Sequence, residues 1–324
     1  MSAPAPEARA TARPSGLIDT IQAGFNAVNR NAWLLLLPLL IDIALWLGPQ
    51  VTVGPLAERW LQQLVPPPGA NDELARAVEQ GRESSLQMIQ QDGGIGHYNL
   101  IALLSVPIIG VPSYQAGSPG EGPLLPIGSV PAAIAMVIGA TAAGLCVAAV
   151  FYGLLGQAVR EGRAEPRRFV REFLSILMWT ISLFVLVILV VISAGLPIGL
   201  VVILARTIMP PLESILWPIL IGLLIWAFVY LFFTTDAVFV GRVPPIIAAQ
   251  QSVRVVRHNF WPTLGFIGLI LIISAGLPIL WNTIAQTLHE PGTALAMVGH
   301  IYVSSGLAAA SMTYYKERFE RLTQ

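Results

Sequence analysis

A seven-residue apolar sequence that occurs twice constrains the fold of this chain more than any other feature. Residues 192–198 and 273–279 both read Ile-Ser-Ala-Gly-Leu-Pro-Ile, and each copy lies within a long apolar stretch. A Gly-Arg pair precedes each copy, at residues 162–163 and 241–242. Because such self-similarity is the sequence signature of a repeated structural unit, these two regions are predicted to fold alike.

The N-terminal region carries a third, more divergent copy. The sequence Asn-Ala-Trp at 31–33 aligns with Asn-Phe-Trp at 259–261, and the same offset places Gly48 opposite Gly276. The predicted repeats are about 16–157, 160–240 and 241–314.

Each repeat is predicted to begin with an amphipathic helix. Between Ile246 and Phe260, apolar residues recur at steps of three and four, so they share one helical face. Arg254 and Arg257 fall on the opposite face. A helix of this kind, followed by an apolar span, is typical of one that lies on the membrane surface. Comparable apolar stripes occur at Ile21, Phe25 and Val28 and at Phe169, Phe173 and Ile176.

Composition indicates an all-α polytopic membrane protein. The chain is 55% hydrophobic and 11% charged, whereas soluble domains are about 25% charged. A spanning helix needs about 17 apolar residues or more, and the first candidate span is near that limit. The six predicted transmembrane spans are about 33–48, 132–156, 174–204, 215–240, 260–281 and 293–314. Each repeat is then a surface helix plus a two-span hairpin, and the repeats are parallel because two spans return the chain to its starting side.

The segments outside the spans differ in character. Residues 1–15 are rich in Ala, Pro and Arg and are predicted to be disordered. Residues 51–130 form a hydrophilic insertion in the first repeat, with a predicted helix at 72–90. Residues 95–112 are apolar but short, and the sequence leaves open whether they are re-entrant or spanning. Residues 315–324 are a charged tail.

We expect a multi-pass protein of the plasma membrane, and the basic residues predict that both termini lie in the cytoplasm, because cytoplasmic loops are rich in Lys and Arg. One side of the predicted bundle collects Arg9, Arg13, Arg30, the arginines at 160–171, Arg242, Arg254, Arg257, Lys316, Arg318 and Arg321. The other side has Arg59, Arg76, Arg82 and Arg206. If residues 95–112 spanned the membrane, the N-terminal segment and the first loop would swap sides, and each has the same number of arginines. The arginine count would then not distinguish the two orientations. Because the repeats should place their surface helices on the same side, we predict a cytoplasmic N-terminus and an extracytoplasmic insertion.

Two aspartates lie within predicted spans, where ionisable residues are costly and often functional. Asp42 lies mid-span, and Asp236 lies near the cytoplasmic end of the fourth span, where it aligns with Gln157. Asp42, Asp236 and Gln157 are therefore the candidate intramembrane polar site. An intramembrane aspartyl protease is disfavoured because neither aspartate lies in a Gly-x-Gly-Asp pattern. The structural alternative is a buried carboxyl hydrogen-bonded to a neighbouring helix.

A glycine followed closely by proline lies near the outer end of each odd-numbered span. The pairs are Gly48 with Pro49, Gly195 with Pro197, and Gly276 with Pro278. Because proline kinks or ends a helix, these positions are predicted to be helix kinks that face the bundle interior. The alternative is that they end helices at the interface. Apolar sequence continues to Leu204, so a mid-span kink is expected at Pro197.

Motifs for known chemistry are missing from the sequence. It contains no His-Glu-x-x-His, P-loop or Gly-x-Ser-x-Gly motif, and its histidines lack metal-ligand spacing. We therefore expect no catalytic residue, no metal and no cofactor, and the zero net charge gives no indication of a nucleic-acid partner. The arginines predicted either to contact anionic membrane lipids or only to set the orientation are Arg167, Arg168, Arg171, Arg254 and Arg257.

One segment resembles a known family. Residues 252–261, Ser-Val-Arg-Val-Val-Arg-His-Asn-Phe-Trp, resemble a signature of six-helix bacterial membrane proteins of uncharacterised function. These include the membrane domain fused to some glycerophosphodiester phosphodiesterases. The resemblance covers mainly the second and third repeats. It implies fold and location only, because the chain has no room for the soluble phosphodiesterase barrel.

Two classes of function stay open. The first is a non-enzymatic membrane component, either a scaffold for a partner membrane protein or a lipid-interacting module. The second is a transporter or channel for a small solute or lipid through the bundle axis, with Asp42 or the Gly-Pro breaks at its site. A polar cavity that reaches Asp42 would favour transport, whereas a packed apolar axis would favour a scaffold.

Overall fold

The computed structural model describes most of the chain and contains mainly helices. It describes residues 16–66, 69, 71–91, 96, 98–105, 109–114, 122–208 and 210–323, with the side chains of 208 and 210–213 excepted. The predicted disorder of residues 1–15 lies outside the described residues. The helices are α1 Leu17–Arg30, α2 Leu36–Leu47, α3 Gly54–Gln62, α4 Asp72–Gln90, α5 Val130–Glu161, α6 Pro166–Ile208, α7 Pro210–Leu231, α8 Thr234–Phe239, α9 Pro245–His258 and α10 Phe260–Leu322.

Several of these helices are long and apolar enough to cross a membrane. Within the described residues, four helical segments meet this condition, namely α5, α6, residues 214–239 and α10. A fifth arises if α1 and the helix at 32–47 are taken as one span, although the two meet at 84°. The chain thus has the helices expected of an integral membrane protein.

Helix α10 is a helical hairpin that folds back at His289. His289 has φ 55° and ψ −132°, which no α-helix accommodates. Thr263 Oγ1 and Tyr314 Oη lie 3.1 Å apart, although a straight helix would separate them by about 76 Å at a rise of 1.5 Å per residue. We call residues 260–288 the first limb and residues 290–322 the second limb.

Two asparagines end α1 and α9 in the same way. Asn31 has φ −131° and ψ 39°, and Asn259 has φ −128° and ψ 37°. Each side-chain amide donates to the carbonyl oxygen four residues earlier, Ala27 at 2.9 Å and Val255 at 3.2 Å. An asparagine that satisfies the last turn in this way lets the chain change direction before the next helix.

The second predicted repeat lacks this break. Helix α6 runs continuously from Pro166 to Ile208, so the prediction of a separate surface helix is wrong there. The physical reason is visible in the sequence, because no Asn or Gly occurs between Pro166 and Gly195 to interrupt the helix.

The core is packed with aromatic and small residues. The rings of Phe266 and Tyr314 stack with centroids 4.4 Å apart, and Phe233 stacks on Tyr314 at 5.3 Å. Helix α1 packs on the second limb of α10, where a β-carbon at Gly24 would collide with the backbone of Ala310. Small residues therefore bring backbones into contact, as they commonly do between helices in membranes.

A break between α7 and α8 is closed by a side chain from α9. Ser252 Oγ donates to the Tyr230 carbonyl oxygen at 2.8 Å and accepts from the Phe233 amide at 3.1 Å. Ser252 is fully buried. Since a helix break in an apolar interior frees backbone groups, this hydroxyl supplies the partners that the missing helical bonds would have given.

The insertion in the first repeat has its own small structure. Helix α4 spans Asp72–Gln90, which confirms the predicted helix at 72–90. Strand β1, Gln50–Thr52, pairs in parallel with β2, Leu124–Pro126. In the described part of residues 95–112, the helical structure is the 3-10 helix Leu100–Leu104, which is too short to span.

The hairpin of α6 and α7 extends away from this core. Residues 189–198 and 221–228 are each exposed without interruption. Because 3.6 residues make one turn, eight or more consecutive exposed residues leave every face of the helix uncovered. We call the exposed residues 189–198 and 221–228 the distal arm.

Candidate intramembrane polar site

Helix α8 places Asp236 inside the bundle beside a cavity. Asp236 is 6% exposed, and Ser311 Oγ donates a hydrogen bond to its Oδ2. Within the described part of the chain, its Oδ1 accepts no hydrogen bond. The adjoining cavity has a volume of about 220 Å³. Its polar lining residues are Tyr152, Thr235, Asp236, Ser274, Ser304 and Ser311.

Asp42 lies in a different environment. It is fully buried, and its carboxylate accepts from the Ser113 hydroxyl and, at 2.9 Å, from the Tyr114 amide. It does not line the Asp236 cavity. The geometry agrees with the structural alternative, because the carboxylate ties a segment of the insertion to α2.

That segment, residues 109–114, connects the two aspartate environments. Tyr152, which lines the Asp236 cavity, donates its hydroxyl to the Gly110 carbonyl oxygen at 2.7 Å. Tyr114 Oη donates to Asn282 Oδ1 at 2.9 Å, and its ring lies 6.1 Å from that of His300. Burial raises the pKa of the Tyr114 phenol, which therefore stays protonated as the donor.

Gln157 does not join the aspartates in one site. Its Oε1 accepts from the Glu165 amide at 3.1 Å, and its Nε2 donates to Glu161 at 3.5 Å. It does not line the Asp236 cavity. Although Gln157 aligns with Asp236 in the sequence, its side chain stabilises the turn between α5 and α6.

Basic side chains gather at one end of the bundle, which we call the basic end. Arg160 donates to the Phe239 carbonyl oxygen at 2.6 Å, and Lys316 donates to the Arg160 carbonyl oxygen at 3.3 Å. Arg242 pairs with Glu172. Arg160 and Lys316 thus satisfy carbonyl groups at helix ends, and Arg242 forms an ion pair, as expected for structural contacts.

All five arginines predicted to contact lipid are exposed. Arg168 also pairs with Glu161 at 2.8 Å. The five positions are Arg167, Arg168, Arg171, Arg254 and Arg257.

The predicted apolar face of α9 is only partly right. Val256, one of the apolar residues at the predicted spacing, is fully buried, and Ala248, Ser252 and Val255 pack on the core beside it. Ile246 and Val253, at the same predicted spacing, are instead 65% and 37% exposed. The face found from apolar spacing alone is therefore rotated from the one that packs, because a small alanine and a bonded serine fit closely against α8. Exposed Ile246 and Val253 lie between the buried face and the basic face.

The glycine positions are corrected by the structure. Gly195 and Gly276 are exposed, with no atom within 4 Å of a β-carbon built on them. The prediction that they face the bundle interior is therefore wrong, because the helices there have no close neighbour. The helices continue through Pro197 and Pro278, and the degree of bending at these prolines stays a prediction. Gly48 ends α2 before Pro49, as the alternative anticipated.

Sequence reasoning missed the polar partners of both aspartates. Ser113 and Tyr114 lie in a loop whose position depends on the fold. A signal for Ser311 did exist, since His300, Ser304 and Ser311 recur at helical spacing on one face. Among the described residues, no three His, Cys, Asp or Glu side chains are placed to hold a metal ion.

Comparisons with known proteins identify no family for this chain. The chain matches no protein-family model, no curated protein and no solved structure, so the resemblance of residues 252–261 stays a prediction.

Proposed function

We propose that this chain is a non-enzymatic component of the plasma membrane that contacts lipid, or a partner membrane protein, through its distal arm. The exposure of that arm is the observation that carries the proposal. Residues 189–198 and 221–228 are mostly apolar and exposed on every face. A helix that is apolar on every face requires an apolar environment. For an arm outside the core, that environment is lipid or another membrane protein.

The packed core supports the same role. The stack of Phe233, Phe266 and Tyr314 fills the centre of the core, and Asp42 is hydrogen-bonded and fully buried. A transport pathway along the axis would need polar, water-accessible surface at these positions. The geometry therefore favours a scaffold or lipid-interacting role.

Photo-crosslinking in native membranes tests this proposal. A photoreactive residue at Leu196 or Leu224, which are 70% and 72% exposed, should give adducts with lipid or with one discrete protein. The matched control is Leu155, which is fully buried and should crosslink only within the chain. Intrachain crosslinks alone from Leu196 and Leu224 would show that the arm packs back on the core, against the proposal.

We further propose six spans in three repeats, with both termini in the cytoplasm. The matching geometry of Asn31 and Asn259 and the hairpin in α10 support this arrangement. Single cysteines at Ser84 and Thr323, in a Cys146→Ser background, test the orientation with an impermeant thiol reagent. Only the Ser84 variant should react in intact cells, and reaction of the Thr323 variant would overturn the topology.

The basic faces favour contact with anionic lipid headgroups. On α9, exposed Ile246 and Val253 lie beside Arg254 and Arg257, an arrangement suited to the membrane interface. Replacing Arg254 and Arg257 by glutamine should lower the anionic lipid that copurifies with the protein, as measured by mass spectrometry. If the amount of copurified anionic lipid does not change, these arginines only set the orientation of the protein in the membrane. Membership of the six-helix bacterial membrane protein family that residues 252–261 resemble is also part of this proposal.

Transport of a small solute is a second candidate, favoured by the Asp236 cavity. If water reaches this cavity, Ser304→Cys should react with a small cationic thiol reagent. The adjacent Ser305 is fully buried and outside the cavity lining, so Ser305→Cys is the control. Equal protection of both positions would argue against a water-accessible pathway.

A further inference from the structure

We infer that the Asp236 cavity is a binding site for a monovalent alkali cation, held by the Asp236 carboxylate and neighbouring hydroxyl groups. This inference does not rest on the lipid or partner contact proposed for the distal arm. It starts from a buried carboxylate that has few hydrogen-bond partners. Asp236 is 94% buried, yet a single side-chain hydrogen bond, from Ser311, reaches its carboxylate among the described residues.

An ionised carboxylate in this cavity has no compensating charge from the residues that line it. In an apolar interior such a carboxylate is costly unless it takes up a proton, is paired or coordinates a metal ion. The residues that line the cavity include no Lys, Arg or His. Arg160, on the neighbouring helix α5, is instead bonded to the Phe239 carbonyl oxygen. The missing positive charge can therefore come from a bound cation.

The ligand atoms select a hard monovalent ion. Carboxylate and hydroxyl oxygens suit hard cations, whereas soft metals prefer sulfur or imidazole ligands. One carboxylate neutralises one positive charge, so a divalent ion would leave an uncompensated charge in the interior. A second carboxylate is not available, because Asp236 is the only Asp or Glu among the described residues that line this cavity.

The size of the cavity fits a partly hydrated ion. A volume of about 220 Å³ has room for an ion together with several water molecules. Ser274, on the first limb of α10, is an exposed lining residue, so the cavity opens on that side.

The site lies next to a helix break, which is where ion sites in membrane proteins often occur. Coupling ions are commonly bound next to discontinuous helices, where the chain leaves regular helical geometry. Asp236 lies in the first turn of α8, immediately after the break at residues 232–233, and Phe232 lines the cavity. The carboxylate and the break thus occur together at one place in the bundle.

Thermal melting of the purified full-length protein tests the inference. Melting is measured in sodium, potassium or N-methylglucamine chloride, at one ionic strength and one pH above neutrality. A ligand that binds only the folded state raises the melting temperature with its concentration. We expect sodium or potassium to raise Tm by about 3 °C or more over N-methylglucamine at saturation.

Three variants assign the effect to the cavity. Asp236→Asn should abolish the ion-specific rise in Tm, and Ser304→Ala should shift it to several-fold higher cation concentration. The control Asp42→Asn changes another buried carboxyl and should keep the rise. If Asp236→Asn does not fold, binding of radiolabelled sodium or rubidium to the wild type and to Ser304→Ala decides. No ion-specific rise in the wild type, or a full rise in Asp236→Asn, would overturn the inference.

Discussion

Replacing Ser252 by alanine should destabilise the protein at the break between α7 and α8, because the Ser252 side chain closes that break. The Ser252 hydroxyl bonds the Tyr230 carbonyl oxygen and the Phe233 amide, and no solvent reaches it. Hydrogen bonds between membrane helices average about 0.6 kcal/mol each, and a buried group left unsatisfied costs about 1–3 kcal/mol. Because both lost partners are backbone groups in a dry interior, we expect the free energy of unfolding to fall by about 2 kcal/mol.

The assay is thermal melting of the purified protein in detergent, followed by tryptophan fluorescence. For a chain of 324 residues, a loss of about 2 kcal/mol should lower Tm by about 3 °C. Ser305→Ala is the matched control, since Ser305 is also fully buried but its hydroxyl has no hydrogen-bond partner in the described structure. That variant should leave Tm unchanged or raise it, because it removes an unsatisfied polar group. Equal losses in the two variants would refute the role assigned to Ser252.

Two further predictions use the same melting assay. Asp42→Leu should lower Tm more than Asp42→Asn, because leucine leaves the Ser113 hydroxyl and the Tyr114 amide without their acceptor; equal effects would contradict the anchoring role. Gly24→Ala should destabilise by about 1–3 kcal/mol through overpacking, whereas Gly195→Ala should stabilise by about 0.5–1 kcal/mol because alanine favours the helix and meets no atom. A neutral Gly24→Ala would show that α1 does not pack as described.

Local sequence signals predicted the elements that depend on local chemistry. Helix α4 was placed correctly because Asn71 caps it, accepting from the Leu74 amide at 2.9 Å, and its charged residues keep it in water. The asparagines at 31 and 259 marked real direction changes, since their side chains satisfy the preceding turn. These interactions involve residues at most four positions apart, so a linear reading can find them.

Interactions between distant parts of the chain were not predictable in this way. The partner of Asp236 is 75 residues away, and the partners of Asp42 are 71 and 72 residues away. The packed face of α9 depends on the shape of its neighbours, so apolar spacing placed Ile246 on the wrong face. At Gly195, the sequence indicated a weak point in the helix but could not show that no neighbour lies beside it.

The packing of α1 on the second limb of α10 has a consequence for how the protein is made. The partner of Gly24 is Ala310, which leaves the ribosome 286 residues later. At about 5–20 residues per second, α1 waits roughly 15–60 s for the surface that covers it. During this interval α1 can rest on lipid, on an insertion factor or, once it has been made, on α5, which it also contacts. Assembly of the protein is therefore completed by its last helix, and a truncation before Gly306 would leave the surface of α1 that packs on the second limb uncovered.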